Sequence, residues 1–231
     1  MTPCGFVTVA GSGVASGVQG VVTAFSFFGA YPYSLAGISI TVNDIPVPIQ
    51  AVANDQFGER VNFQAPCELT GSSATVVVSV SGATTTVTGV PVFAVQPGIF
   101  TYTGPNNKVY GGVIREVDGT YVTAANPAHP GEKVYVVVTG LGQATPALIT
   151  NSAGTGSQNV NLPTAVFLSG TGFPALSARY MFGWVGAYLI EFQIPKDSPT
   201  GPDQKLLVVE TSPDGNDFLG VSNTVLLPAV Q

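Results

Sequence analysis

Val61-Asn62-Phe63-Gln64-Ala65-Pro66 alternates apolar and polar side chains up to a closing proline. Successive side chains of a strand point to opposite faces, so this alternation predicts a strand with one buried and one solvated face. The pattern returns as Ile190-Glu191-Phe192-Gln193-Ile194-Pro195, roughly 130 residues later. A strand pattern repeated at this distance predicts two copies of one β unit.

The segments around the two copies correspond in the same order along the chain. Residues 38–49 correspond to 165–176, 73–81 with 84–92 correspond to 205–211 with 220–227, and 17–29 correspond to 131–142. Glycines and β-branched residues interrupt every candidate helix. We therefore expect an all-β protein of two tandem immunoglobulin-like antiparallel β-sandwich domains, 1–97 and 98–231, divided at Gln96-Pro97-Gly98.

Charge is scarce in this chain, because 7 Lys and Arg with 13 Asp and Glu make only 9% of it charged, with a net charge of −6. So few basic residues cannot neutralise a run of phosphates, and we expect no nucleic-acid partner. Apolar runs such as residues 134–138 have strand length and fall short of the ~20 residues of a membrane span. Met1-Thr2-Pro3-Cys4 lacks the regions of a signal peptide, so either the numbering starts at a trimmed end or export uses another route.

Cys4 and Cys67 are the two cysteines. We expect either a disulfide that pins the N-terminal segment to the first domain, or two free buried thiols; two Cys and one His do not make four zinc ligands. Phe6, Val7 and Val9 follow Cys4, and they are expected to form a strand on their own domain or, alternatively, to pair with a neighbouring chain. The Gly/Ser-rich residues 11–20 are expected to form a flexible arm.

Several short motifs occur in one order along the chain: 37–49 (GISITVNDIPVPI), 61–66 (VNFQAP), 94–101 (AVQPGIFT), 124–128 (AANPA), 130–132 (PGE) and 139–142 (TGLG). From residue 17 onward they resemble an uncharacterised C-terminal domain family of large secreted proteins from soil acidobacteria such as Solibacter. The resemblance implies export, a pair of β-sandwiches and no assigned activity, and it supplies no catalytic residues. The long upstream protein of that family is missing from this sequence, so we expect the domain pair to stand alone.

Catalytic chemistry has few candidate residues. A Ser-His-Asp arrangement needs a histidine base, and the one histidine, His129, lies in the proline-flanked turn Pro127-Ala128-His129-Pro130. No spacing pairs two of the glutamates for glycoside hydrolysis; those considered are Glu59, Glu68, Glu116, Glu132 and Glu191. We expect no catalytic residue, no cofactor and no metal. Asp214-Gly215-Asn216-Asp217, near Asp203, is expected to be a plain turn, with a calcium site as the alternative.

The segment Tyr180-Met181-Phe182-Gly183-Trp184-Val185-Gly186-Ala187-Tyr188 is unusually aromatic. Tyr and Trp on loops anchor protein interfaces and glycans. The segment is expected to pack on its own domain, to form an interface with another subunit, or to be a platform for a sugar. The candidate interface residues are Tyr180, Phe182, Trp184 and Tyr188, together with Phe6, Val7 and Val9.

These features favour a non-catalytic extracellular or cell-surface protein with a structural or adhesive role. Few Lys or Glu remain to block contact between sheet edges, so the expected partner is a second copy of the chain. In this hypothesis the N-terminal arm of one copy completes the sheet of the next and builds a filament or a surface layer. The alternative is a glycan-binding module that holds a polysaccharide through Tyr31, Tyr33, Trp184 and Tyr188.

Overall fold

The computed structural model describes residues 1–25, 28–104 and 107–230, with the backbone alone for Ala229. The described residues form strands, turns and loops without an α-helix, which confirms the expected all-β class. None of them forms a helix that is long and apolar enough to cross a membrane. The chain divides into two compact units: unit 1 comprises Met1–Ala94, Gly142–Gln158 and Met181–Gly186, and unit 2 comprises Val95–Leu141, Asn159–Tyr180 and Ala187–Gln231.

These units differ from the predicted domains, 1–97 and 98–231. The first boundary lies close to the predicted one, but Gly142–Gln158 and Met181–Gly186 belong to unit 1. The physical reason is hydrogen bonding, since the buried Asn151 binds the backbone of Tyr31 and the side chain of Gln64. Along the sequence, unit 2 is thus interrupted by two segments that belong to unit 1.

The described residues of unit 1 form these strands: β1 (Phe6–Ala10), β2 (Gly20–Thr23), β3 (Ser34–Leu35), β4 (Ile38–Val42), β5 (Ile45–Pro46), β6 (Ile49–Asp55), β7 (Gly58–Gln64), β8 (Ser73–Val80), β9 (Ala83–Pro91) and β15 (Ala144–Thr145). One antiparallel sheet has the order β1-β7-β6-β2, and a second has the order β3-β4-β8-β9 with β5 on β4. At the β4–β5 hairpin, Asn43 and Asp44 both have positive φ, as expected for a tight two-residue turn.

The core of unit 1 draws on both of its sheets. Ile38, Ile40 and Val42 of β4 are buried and alternate with half-buried polar residues. Val61 and Phe63 of β7 are fully buried and belong to the same cluster of side chains. Burying a side chain of this size contributes roughly 1.5–3 kcal/mol, so the alternation in the sequence is what holds the two sheets together.

Unit 2 contains the remaining strands: β10 (Gly98–Ile99), β11 (Thr101–Thr103), β12 (Val109–Gly111), β13 (Val113–Arg115), β14 (Lys133–Thr139), β16 (Asn159–Val160), β17 (Thr164–Leu168), β18 (Thr171–Pro174), β19 (Ser177–Tyr180), β20 (Tyr188–Gln193), β21 (Gly201–Thr211), β22 (Phe218–Val221) and β23 (Val225–Val230). One sheet runs β10-β14-β20-β19-β16, with β13 on β14. The other runs β11-β12-β23-β21-β17-β18, with β22 on β21. Val134, Val136 and Val138 of β14 are buried, as are Ile190 and Phe192 of β20.

The two units repeat one strand order. The series β1-β7-β6-β2 and β4-β8-β9 of unit 1 correspond to β14-β20-β19-β16 and β17-β21-β22 of unit 2. The registers agree as well: the pairs Val7–Phe63 and Val9–Val61 correspond to Val134–Phe192 and Val136–Ile190. The strand equivalent to β14 is therefore β1, and the expected correspondence of 17–29 with 131–142 is wrong. Order along the chain does not determine which edge of a sheet a strand reaches.

Candidate functional site

Cys4 and Cys67 form a disulfide in unit 1, and both residues are buried. The backbone around Cys67 is further tied to the segment 142–158. The amide of Cys67 donates to Thr150 Oγ1 at 2.8 Å, and Gln143 Nε2 donates to the Cys67 carbonyl at 2.7 Å. The N-terminal segment is thus pinned to unit 1, which was the first of the two alternatives for these cysteines.

The N-terminal segment lies in the sheet of its own unit. β1 pairs with β7 along its whole length, and Val7 and Val9 pack against the unit 1 core. The ring of Phe6 lies 6.1 Å from that of Tyr31 and contacts Gly186. Phe6, Val7 and Val9, expected as interface candidates, therefore contact their own unit, because β7 offers this strand a partner within the chain.

The Gly/Ser-rich residues 11–20 also pack on unit 1. Ala15 and Val18 are buried in its core, and the amide of Ala15 donates to Glu59 Oε2 at 2.7 Å. The expected flexible arm thus contacts the core of its own unit through Ala15 and Val18.

Tyr180 and Tyr188 are buried in unit 2, where their rings meet edge to face at 4.9 Å. Burial raises the pKa of Tyr188 well above its usual value, with smaller contributions from Tyr180 and Glu210. Tyr180 and Tyr188, two of the candidate interface residues, are thus part of the core of their own unit, which is the first of the three alternatives for this segment. They stand in β19 and β20, and the strand alternation there directs both rings inward.

Phe182 and Trp184 belong to an exposed group of rings in unit 1, which we call the aromatic cluster: Phe25, Phe28, Phe182 and Trp184. Phe28 meets Phe182 edge to face at 4.9 Å, and Phe25 meets Trp184 at 6.2 Å. The amide of Phe28 donates to the Gly183 carbonyl at 2.8 Å, which holds the two segments together. Phe25 is 82% exposed, whereas Trp184 is half-buried. These two of the predicted interface residues are thus accessible on the surface of unit 1.

β9 is the outer strand of its sheet and is bare of charge. It reads Ala83-Thr84-Thr85-Thr86-Val87-Thr88-Gly89-Val90-Pro91, and all of its residues except Val90 are exposed. The register with β8 is regular from Ala83 to Val87 and shifts only beyond it. Natural edge strands usually carry a charge, a proline or a bulge that prevents pairing with another molecule, and residues 83–87 carry none of these.

The sequence contained a signal for this edge that our sequence reasoning did not use. No charged residue stands between Glu68 and Lys108, so every strand in that interval lacks charge. The hairpin of β8 and β9 falls inside it, but the sequence does not reveal which of the two strands lies at the edge.

The carboxylates considered for catalysis are mostly engaged in holding the fold. Glu59 accepts a hydrogen bond from the Ala15 amide, and Glu68 accepts one from the Thr150 amide. Burial raises the pKa of Glu68, but the hydrogen bonds from Thr150 and from backbone amides together lower it below its usual value. In unit 2, Glu132 pairs with Arg115, and Glu191 lies 3.4 Å from Lys133. Each of these four carboxylates therefore contacts a backbone or side-chain group from another segment of its own unit.

The turn at Asp214 also closes on itself. The Asp214 carboxylate accepts hydrogen bonds from the Ser212 hydroxyl and from the Asn216 amide and side chain, and these bonds lower the pKa of Asp214 to about 2. Across residues 1–25, 28–104 and 107–230, no three His, Cys, Asp or Glu side chains come together as a metal site. The backbone amide of His129, in the predicted turn 127–130, donates to Glu132 Oε2 at 2.9 Å.

No protein-family model matches this chain. No curated protein matches it either.

Proposed function

We propose that this protein is a non-catalytic extracellular structural or adhesive protein, built of two immunoglobulin-like β-sandwich units, that assembles with copies of itself through strand edges. The observation that carries the proposal is the β9 edge, with five regularly paired, exposed and uncharged residues from Ala83 to Val87. An edge of this kind presents unpaired backbone N–H and C=O groups to any strand that approaches it. The assembly expected from a contact that does not close is a filament or a layer.

The disulfide supports an extracellular or cell-surface location. Disulfides form and persist in oxidising compartments, and Cys4 and Cys67 account for every cysteine in the chain. The low content of charged side chains is consistent with a scaffold whose surface is made for contact between molecules. The resemblance to secreted acidobacterial domains points the same way.

The strand that mediates assembly differs from the one expected at first. β1 is paired with β7 and is anchored by the neighbouring disulfide, so exchange of this arm would require a covalently pinned strand to leave its sheet. β9 is the last strand of its sheet, and within the described part of unit 1 no strand pairs with its outer side. We therefore assign the contact between copies to β9.

Sedimentation velocity over a range of concentrations, with electron microscopy of the same samples, tests this assignment. Thr86→Lys adds a charge to the exposed edge, and we expect it to weaken self-association at least tenfold, which is about 1.4 kcal/mol. Thr70→Lys is the matched control, because Thr70 is exposed, lies outside the strands and receives the same charge. A wild-type protein that stays monomeric at every concentration, or a Thr86→Lys protein that assembles as well as Thr70→Lys, would contradict the proposal.

Glycan binding is the second candidate, and its sequence-based site is reduced by the structure. Tyr31 and Tyr188 are buried and cannot contact a glycan. The remaining candidates are Tyr33, which is exposed, and Trp184, which is half-buried in the aromatic cluster. Retention of polysaccharide binding in Trp184→Ala would remove this site from consideration.

A further inference from the structure

We infer that unit 2 carries a binding groove for a neutral saccharide, at residues that the sequence did not single out. The groove has a volume of about 440 Å³, is open to solvent and is lined by Phe100, Tyr102 and Tyr121, with Thr101 and Thr123 beside them. Pockets of roughly 300–1,000 Å³ with apolar walls and a few polar groups are typical small-molecule sites. The inference is independent of assembly through β9.

The chemistry of the lining selects a neutral ligand with both apolar and polar faces. Tyr121 is 58% exposed, and Phe100 and Tyr102 are 38% and 37% exposed, so three rings offer apolar faces to solvent. The threonine and tyrosine hydroxyls can both donate and accept hydrogen bonds. None of the described lining residues is charged, so the groove offers no counter-ion to a phosphate, a carboxylate or an amine. A sugar ring has apolar C–H faces and hydroxyl edges, and it matches this combination.

Tyr102 is held in place from behind. Its ring lies 5.7 Å from that of the buried Tyr110, whose hydroxyl donates to Asp203 Oδ1 at 2.9 Å. Asp203 is in turn paired with Lys108. Gly104 lies so close to Tyr110 that a Cβ there would come within 2.6 Å of the ring, so the support is tightly packed.

Tyr121 is held by its own backbone. It forms a β-bridge with Ile114, and its carbonyl accepts a hydrogen bond from Asn126 Nδ2 at 3.3 Å. The next residue, Val122, is fully buried and its amide donates to the Val113 carbonyl at 2.9 Å. These contacts fix the backbone that carries Tyr121, and the contact with Tyr110 supports the ring of Tyr102. A groove whose frame is formed before the ligand arrives loses less entropy when the ligand binds.

Affinity electrophoresis of the wild-type protein against four soluble neutral polymers (β-glucan, xylan, galactomannan and α-glucan), with acidic alginate for comparison, tests the inference. We expect at least one of these neutral polysaccharides to retard the protein, and Tyr121→Ala to weaken that binding at least tenfold. Tyr121→Phe keeps the ring and should retain most of the binding. Phe57→Ala is the matched control, because Phe57 is an exposed aromatic residue of unit 1 outside both candidate glycan sites.

Each other outcome overturns the inference. These are no retardation by any of the four polymers, equal binding by Tyr121→Ala and the wild type, or stronger binding to acidic alginate than to every neutral polymer. Loss of binding in Trp184→Ala but not in Tyr121→Ala would place glycan binding in the aromatic cluster instead. Loss of self-association in Tyr121→Ala would identify the groove as a contact between copies. Circular dichroism of each variant verifies that unit 2 is folded, and Tyr102→Ala provides a second variant if Tyr121→Ala is not.

Discussion

Glu210 is a buried carboxyl group, and no ion pair with it is formed within residues 1–25, 28–104 and 107–230. It stands in β21 opposite Thr164, whose hydroxyl donates to Glu210 Oε1 at 2.7 Å. Its other oxygen, Oε2, has no hydrogen-bond partner among the described residues. Burial raises the pKa of Glu210 to about 8, and the bond from Thr164 only partly opposes this. The folded protein therefore keeps Glu210 protonated and neutral at pH 7.

The repeat shows what Glu210 replaces. The pair Ile38–Val80 in unit 1 occupies the register position of Thr164–Glu210 in unit 2, counted from the two hairpins that follow β4 and β17. An apolar pair in one unit is thus a polar pair in the other. Because a buried polar group costs stability unless it is hydrogen-bonded, this position weakens unit 2 relative to its counterpart.

Glu210 makes the stability of unit 2 depend on pH. The folded-state pKa of about 8 exceeds the usual 4.5, so the folded state holds its proton over a range in which the unfolded state has lost it. This stabilising contribution of Glu210 is full below about pH 4.5 and is lost as the pH rises through about 8, so we expect the free energy of unfolding to fall by about 3.5 kcal/mol between pH 5 and 8.

Urea denaturation followed by tyrosine circular dichroism at pH 5, 6.5 and 8 measures this change. Glu210→Gln should remove most of the dependence, whereas the exposed Glu116→Gln should not. Asp55 and Asp214, whose hydrogen bonds lower their pKa values to about 2, act only at lower pH. An equal pH dependence in both variants would show that Glu210 is not its source.

At the scale of the element, β1 and β9 are both outer strands of unit 1, but they differ in how they are held. β1 is anchored by the disulfide just before it and by Val7 and Val9 on the core. β9 has backbone pairing on one side and an exposed surface. The sequence led us to expect that β1 could reach a neighbouring molecule, but β1 is anchored. The exposed strand is β9.

Removing the disulfide should loosen β1 and destabilise unit 1. The bond closes a loop with a sequence separation of 63 residues, and on the chain-entropy model it contributes up to about 4 kcal/mol. Trp184 is the only tryptophan and lies in unit 1, so its fluorescence reports the unfolding of that unit. We expect reductant to lower the urea midpoint of the wild type but not of the Cys4→Ala/Cys67→Ala variant. Coincident wild-type midpoints with and without reductant would contradict this role.

At the scale of the whole molecule, each unit has its own core, yet unit 1 is assembled from three separate stretches of chain. The side-chain amide of Asn151, from the second stretch, pairs with the backbone of Tyr31 as a neighbouring strand would. Its Oδ1 accepts from the Tyr31 amide at 2.7 Å and its Nδ2 donates to the Tyr31 carbonyl at 2.9 Å, both in buried surroundings. Its own amide donates to the buried Gln64.

A fragment of residues 1–97 should therefore fail to fold cooperatively, although it is the domain that the sequence predicts. It would leave the backbone of Tyr31, the side chain of Gln64 and the amide of Cys67 without these partners, at a cost of about 1–3 kcal/mol for each buried group. Near-UV circular dichroism and urea titration of the fragment measure this. In the full chain, Asn151→Ala should cost unit 1 about 2–4 kcal/mol. The unfolding of the fragment is followed by its tyrosine signal, and that of unit 1 in the full chain by Trp184 fluorescence. Equal urea midpoints in the two experiments would show that the later segments are dispensable.

Local patterns in this sequence were sufficient for its strands, their buried faces, the Asn43-Asp44 turn and the repeat around Phe63 and Phe192. These features depend on neighbours along the chain, because alternation and turn chemistry act over a few residues. The partner of β1, the edge position of β9, the burial of Tyr180 and Tyr188 and the role of Asn151 depend on groups that meet only after folding. The groove at Tyr121 also depends on folding, because its rings come from separate segments of the chain, around residues 100–102 and 121.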